Sequence, residues 1–262
     1  MQLEGKNVLI TGGTRGIGKC MIQELVKGGV SNIAVIARDK KKLKELSLEF
    51  EGVKFLRIAG DVADIEVLRE AAARIEDKWG HLDLLINNAG IVSAGPLEDL
   101  QDEDLYDQVA VNLTAVLLLT KYCIPLLKSS EEAGILNISS GLGLLGMPFY
   151  AVYGSTKAAV RQFSDSMRRE LAPFNIAVTC SFPTATDTDM MQKFKGREMD
   201  SPEYVAKRSL EGLMNKELQV IFGGEERIKE NVMNFESPEE FDKKVAENYE
   251  DRKQSSMNHK AI

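Results

Sequence analysis

The chain has 262 residues, 44% of them hydrophobic and 28% charged, with a formal net charge of −7. That size fits one α/β domain, or at most two small ones, and is enough to bury a substantial core. The acidic balance, without any basic block, argues against a nucleic-acid surface.

Residues 6–11 (KNVLIT) form a short apolar run that reads as a buried strand, and 19–26 has helical periodicity. Between them stands Gly12-Gly13-Thr14-Arg15-Gly16-Ile17-Gly18. Glycines let a backbone approach a pyrophosphate closely, and a helix N-terminus supplies free N–H groups and a positive dipole end. A dinucleotide phosphate site is therefore expected here, although the spacing is G-x-x-x-G-x-G. A tight turn is the plainer reading, but it needs fewer glycines.

A second strand is expected at 32–37 (NIAVIA), followed by Arg38 and Asp39. An acidic residue at this strand end accepts from an adenosine ribose, whereas an arginine pairs with a 2′-phosphate. Arg38, with Arg15 as a second cation, favours NADP(H) over NAD(H), and Asp39 is the complication. Residues 40–50 read as a helix and 53–58 as a third strand, leading to Asp61 and Val62. Asp61 either caps the next helix or touches adenine. An amphipathic helix at 65–79 and a strand at 82–86 lead to Asn87-Asn88-Ala89-Gly90, turn residues that could also face a crevice. A long helix is expected over 104–127, ended or kinked near Pro125. Asn112 stands among apolar neighbours there and must be satisfied.

The fifth strand, 135–139, runs into Ser140, a glycine-rich loop and a helix to about residue 172. Tyr153 and Lys157 stand one turn apart on that helix, so both project from one face. A lysine ammonium there favours the phenolate and lowers the tyrosine pKa, making Tyr153 a candidate acid/base; Ser140 can donate to the same oxygen. A second Y-x-x-x-K, Tyr249 and Lys253, lies in a charged tail and reads as a solvated helix face. The literal G-x-G-x-x-G at 141–146 reads as a flexible loop.

A sixth strand at 176–181 precedes a polar loop, 182–191, placed to close over substrate. A helix opening at Ser201 and a strand at 218–222 follow, then a charged helix over 238–252 and ten residues expected to be disordered. Met190, Met191, Phe194, Leu144, Leu145, Met147 and Phe149 are candidates for an apolar pocket or for core packing.

Alternating strands and helices give an α/β fold, a doubly wound parallel sheet of about seven strands with helices on both faces. Residues 1–262 form one dinucleotide-binding and catalytic domain in this reading, with 223–262 a charged helical extension. The two histidines and three scattered cysteines offer no zinc spacing, and free buried thiols are expected. No N-terminal signal pattern stands out, and the most apolar helical piece, 109–120, is too short to span a bilayer. A cytoplasmic location is expected, with no integral membrane segment and no metal.

The motifs together resemble the short-chain dehydrogenase/reductase family: Thr11, Gly12, Gly16, Ile17 and Gly18; 87–90 as N-N-A-G; Asn112; Ser140; and Tyr153 with Lys157. The resemblance runs over roughly residues 4 to 215. It implies a Rossmann-type fold and hydride transfer between a nicotinamide and a carbonyl or alcohol. By that resemblance Tyr153 is the acid/base, Ser140 holds the substrate oxygen, Lys157 binds the nicotinamide ribose and tunes Tyr153, and Asn112 fixes a water in a proton relay. It assigns cofactor contacts to Gly12, Thr14, Arg15, Gly16, Ile17, Gly18, Arg38, Asp61, Val62, Asn88, Ala89, Gly90, Tyr153, Lys157, Pro183, Thr186 and Thr188.

Pro183-Thr184 replaces the family's usual Pro-Gly, and the loop is similar to that of 3-ketosphinganine reductases, a faint hint of a lipid-like substrate. A homodimer or homotetramer and a small carbonyl or alcohol substrate are implied. The expected activity is NADP(H)-dependent carbonyl reduction. NAD-dependent alcohol oxidation and a non-catalytic NADP(H)-binding sensor or scaffold are the alternatives.

Overall fold

The computed structural model describes residues 1–50, 52–194, 198–257 and 259–261, without the side chains of 192–194. Its elements in order are β1 (Asn7–Thr11), α1 (Gly16–Lys27), β2 (Asn32–Ala37), α2 (Lys40–Glu49), β3 (Lys54–Ala59), α3 (Ile65–Trp79), β4 (Leu84–Asn87) and β5 (Val92–Ser93). Then come α4 (Asp102–Val109), α5 (Ala115–Lys128), β6 (Ala133–Ile138), α6 (Ala151–Leu171), β7 (Ile176–Phe182), α7 (Pro202–Met214) and β8 (Gln219–Ile221). The chain closes with α8 (Gly224–Glu236), α9 (Pro238–Ala246), α10 (Tyr249–Ser256) and β9 (Lys260–Ala261).

Seven parallel strands form one sheet in the order β3-β2-β1-β4-β6-β7-β8. Parallel central strands are covered on both faces, so they read as continuous apolar runs. NVLIT and LLIN are buried along their whole length. Alternate residues feed two cores. Leu9, Ala34, Ile36, Leu85 and Ile135 pack against α3 and α5, while Val8, Ile10, Ile33, Val35 and Ile86 pack against α1, α2 and α7. Strand order reverses between β1 and β4, and a crevice for ligand opens at the carboxyl ends of such strands.

The long helix is more continuous than the sequence suggests. α4, a π turn at Ala110–Thr114 and α5 make one 27-residue helix, Asp102–Lys128, with Pro125 inside it. By length and composition it could cross a membrane, which corrects the expectation of too short a segment. Here Leu119, Cys123, Leu126 and Leu127 bury themselves in the core shared with α3. Cys20, Cys123 and Cys180 are free and buried, as expected.

The C-terminal region corrects a second expectation. The charged helix expected over 238–252 is two, α9 and α10, with α8 before them, and described residues of the last ten pair with the rest of the chain. β9 pairs antiparallel with β5 through Val92–Ala261 and Ser93–Lys260, and Ala94 N donates to His259 O at 3.0 Å. A two-residue pairing between segments so far apart leaves no periodic mark in the sequence.

Candidate active site

Two strand ends lock the glycine turn. Thr11 Oγ1 accepts from Asn88 N and Ala89 N, each at 3.0 Å, and Asn88 Nδ2 donates to Thr11 O and Gly12 O at 2.9 and 3.2 Å. Gly12 and Gly16 take left-handed φ of +70° and +52°, which favours glycine. A Cβ on Gly18 would strike Gly12 O and Asn88 Nδ2. The α1 N-terminus has no side-chain cap and no acidic residue in its first turn. α2, α3 and α7 are capped by Asp39, Asp64 and Ser201. Uncapped N–H groups behind a glycine cradle fit a pyrophosphate, so the residues present suit a dinucleotide. Asn88 serves the turn, while Asn87 is buried and donates to Asn137 and Thr120.

At the end of β2, Arg38 lies 3.9 Å from Asp61, both side chains about half exposed. Asp39 is the α2 cap, accepting from Lys41 N and Lys42 N at 2.8 and 3.0 Å. Those backbone bonds hold its carboxyl below the usual range. Asp64 caps α3, so Asp61 does not; Asp61 accepts from Ala63 N at 2.9 Å and faces Arg38. Val62 is buried in the core. Arg15 sits 3.6 Å from Asp189, across the crevice mouth.

The reactive cluster lies beyond β6. Ser140 caps a short turn, accepting from Leu142 N at 3.2 Å, and its hydroxyl is the neighbour that acts to lower the pKa of the Tyr153 phenol. Lys157 is buried on the same face of α6, its Nζ 5.8 Å from the Tyr153 ring centre and donating to Ile138 O at 2.9 Å. Gly143 leaves no room for a Cβ against Ser139 and Lys157, which seats the loop on α6. The glycines of 141–146 therefore build this loop and no phosphate site.

The tuning differs from the expectation. Burial pushes the Tyr153 phenol up, and what lowering there is comes from Ser140. Burial pushes Lys157 down to about 8. The ammonium spends a donor on Ile138 and is itself desolvated, so it does not by itself favour the phenolate. Asn112 is fully buried in the π turn. Its Oδ1 accepts from Ile91 N at 2.8 Å, and Nδ2 donates to Ile91 O and Thr156 Oγ1 at 2.9 and 3.3 Å. The amide thus ties Ile91, just past Gly90, to α6. A Cβ on Gly90 would stand 3.3 Å from Asn112 Oδ1 and 3.4 Å from Lys157 Nζ.

After β7, Pro183 O accepts from Gly141 N at 2.8 Å, joining the two loops. Thr186 is buried and donates to Thr184 O at 3.0 Å. Thr188 lies over the glycine turn, where its Cγ2 would be 3.2 Å from a Cβ on Gly16. Ile17 packs against the small core of Val205, Val220 and Phe222, below the turn that carries Thr14. Most of the predicted site residues line this one crevice; Asn112 and Val62 lie beneath it.

A family model described as short chain dehydrogenase matches residues 6–198. The chain belongs to the short-chain dehydrogenase family. It is 32% identical over 195 residues to a 3-dehydrosphinganine reductase of Danio rerio, covering 72% of this chain and 58% of that protein. It is 34% identical over 204 residues to the 3-oxoacyl-(acyl-carrier-protein) reductase FabG of Thermotoga maritima, covering 76% and 82%. A short-chain dehydrogenase of Burkholderia cenocepacia in complex with NADP superposes with a TM-score of 0.82 at 25% identity, covering 94% and 99%. A 3-ketoacyl-(acyl-carrier-protein) reductase of Brucella melitensis complexed with NADH gives 0.78 at 29%, covering 85% and 99%. The chain thus spans less than two thirds of the length of the Danio rerio relative.

The family match ends at residue 198, and this short-chain dehydrogenase builds one wall of its crevice beyond it. A cavity of about 170 Å³ is lined by Leu142, Met147 and Tyr150 from the loop before α6, and by Ala185 and Met191 from the loop after β7. Arg252 and Ser255 of α10 close it. His259 fastens this wall, bonded to Tyr150 OH at 2.9 Å and Met190 O at 3.0 Å. Lys260 reaches Asp104 at 2.6 Å.

Of the proposed pocket residues, Met147 and Met191 line the cavity. Leu145 is fully buried, Leu144 packs on the core beside Phe182, and Phe149 meets Tyr249 at a tilt with ring centres 5.1 Å apart. The Phe194 side chain lies outside the described residues. Tyr249 and its helix were read as a solvated face, but α10 turns Arg252 and Ser255 inward. Sequence reasoning misses Arg252 and His259, whose only signals are a polar tail and one of two histidines, and Tyr150, which carries no signal beside Tyr153.

Proposed function

We propose that this short-chain dehydrogenase is an NADP(H)-dependent carbonyl reductase in which Tyr153 protonates the substrate oxygen. The carrying observation is the neighbouring hydroxyls of Ser140 and Tyr153 beside the buried Lys157, at the mouth of the crevice that the glycine turn closes. A bound nicotinamide supplies the hydride. The ketone oxygen sits between two hydroxyls; Ser140 donates to it and polarises the carbonyl, and Tyr153 gives up its proton as charge develops there. A phenol held above its ordinary value keeps its proton at neutral pH, which suits an acid and hence reduction. Lys157 offers its remaining donors to the nicotinamide ribose.

The NADP preference rests on β2. Asp39 is committed to its helix, which leaves Arg38 as the group able to meet a 2′-phosphate. NADH bound to one structural neighbour keeps NAD-linked alcohol oxidation as the competing reading. Tyr106 and Val109 are exposed on the long helix and offer a face for a homodimer. The test is ketone reduction with NADPH by the wild type and by Tyr153→Phe. Turnover that survives the substitution at full rate contradicts the proposed role. Nucleotide binding without turnover of any ketone or alcohol favours a sensor.

A further inference from the structure

The cavity contains a cation that forms no ion pair among the described residues. Arg252 lines it from α10. Its Nε is buried without a hydrogen-bond partner, and the side-chain contact its guanidinium makes is Nη1 to Met147 Sδ at 3.8 Å, a weak acceptor. Among the described residues no carboxylate pairs with it. Other partly buried arginines have a carboxylate: Arg208 has Glu217, Arg227 has Glu230, and Arg168, whose Nε is likewise without a partner, has Asp165. A guanidinium is always charged and presents a planar fork suited to a carboxylate. Leaving such a donor buried and unpaired is costly, so the missing acceptor is expected from outside the chain. Glu198, the acidic residue on the cavity wall, is exposed and stands at the rim.

Leu142 lines this cavity and donates its N–H to Ser140 Oγ at 3.2 Å, which sets the cavity beside the reactive end. We propose that Arg252 is a specificity-determining residue that binds a carboxylate on the substrate, so that the substrate class is a small oxo acid. This rests on the carbonyl-reductase reading for the ketone and on the cavity alone for the carboxylate. A cavity of about 170 Å³ suits a short chain between the two groups.

The experiment uses matched pairs: 3-oxobutanoate, 4-oxopentanoate and 5-oxohexanoate, each beside its methyl ester. Binding is measured by calorimetry to the protein loaded with whichever oxidised nucleotide it holds more tightly. The expected result is that at least one acid binds tenfold or more tightly than its ester. Arg252→Met abolishes that ratio, and Arg252→Lys restores part of it, with melting temperatures showing that both variants fold. Acid and ester binding alike, or a preference that survives Arg252→Met, overturns the assignment. Reduction by NADPH is followed separately. Preferential acid binding without reduction sinks the reductase reading and leaves Arg252 as the carboxylate site. Reduction of acids and esters at equal kcat/KM, with equal binding, does the reverse.

Discussion

At the β1 and β4 ends of the sheet the chain holds its own binding surface in shape. Thr11 and Asn88 bond each other's backbone, Gly12 and Gly16 take the turn, and α1 keeps its N-terminus uncapped. Past β7 the walls come from segments distant in sequence: the loop before α6, the loop with Met190 and Met191, and α10 held by His259. The first region lies wholly within the family match; in the second the two loops lie within it, while α10 and His259 lie beyond it. Binding geometry common to the family is written locally, in glycine spacing and strand ends. Selectivity is assembled by long-range contacts, which are free to differ.

Breaking the reactive cluster should have the largest effect. Tyr153→Phe is expected to lower kcat/KM by roughly 10²–10⁴-fold while nucleotide affinity stays unchanged, as single-turnover and titration measurements would show. Breaking the cradle comes next. Gly18→Ala places a methyl against Gly12 O, and NADPH binding should weaken by on the order of tenfold to a hundredfold, about 1.4 kcal/mol per decade. The fold survives that change if circular dichroism is retained. Arg38→Asp should shift the NADPH-to-NADH affinity ratio toward NADH by on the order of tenfold or more, the size of a charge-assisted bond. Asp39→Ala should leave the ratio alone, because that carboxyl serves α2; a change there would give Asp39 the ribose.

A fourth test separates function from stability inside one residue. The Lys157 pKa is depressed from 10.5 to about 8 on folding. Between those values the unfolded chain binds more protons, so this residue makes stability rise with pH there; below about 8 its burial is fully unfavourable. Lys157→Met should therefore stabilise the nucleotide-free protein at pH 7 by about 1–3 kcal/mol, less whatever is lost at Ile138 O, and the gain should fade toward pH 10.5. The same variant should lose turnover. A melting curve lowered at pH 7 would contradict the burial argument. The smallest effect is expected at the outer wall. His259→Ala removes two hydrogen bonds and should cost about 1–2 kcal/mol, read as a lower melting temperature, with NADPH affinity unmoved.

The sheet was legible because β1, β2, β4 and β6 are buried on both faces and read as apolar runs. Ser140, Tyr153 and Lys157 were legible because a strand end and one helical turn place them. The tuning of Tyr153 was not, because burial depends on every neighbour while a one-turn spacing speaks only of Lys157. The C-terminal wall was illegible for a similar reason. Residues 247–261 are polar in sequence, and His259, Lys260 and Ala261 are held by β5, Asp104, Tyr150 and Met190, none of them near in sequence.

The most direct measurement is a paired titration of the wild-type protein with NADPH and NADH under one buffer and salt. Tighter binding of NADPH, by tenfold or more, is the predicted result, with the difference shrinking as salt rises because the 2′-phosphate is read by an exposed cation. Equal binding, or tighter binding of NADH, would contradict the assignment of Arg38 and with it the NADP-dependent reductase.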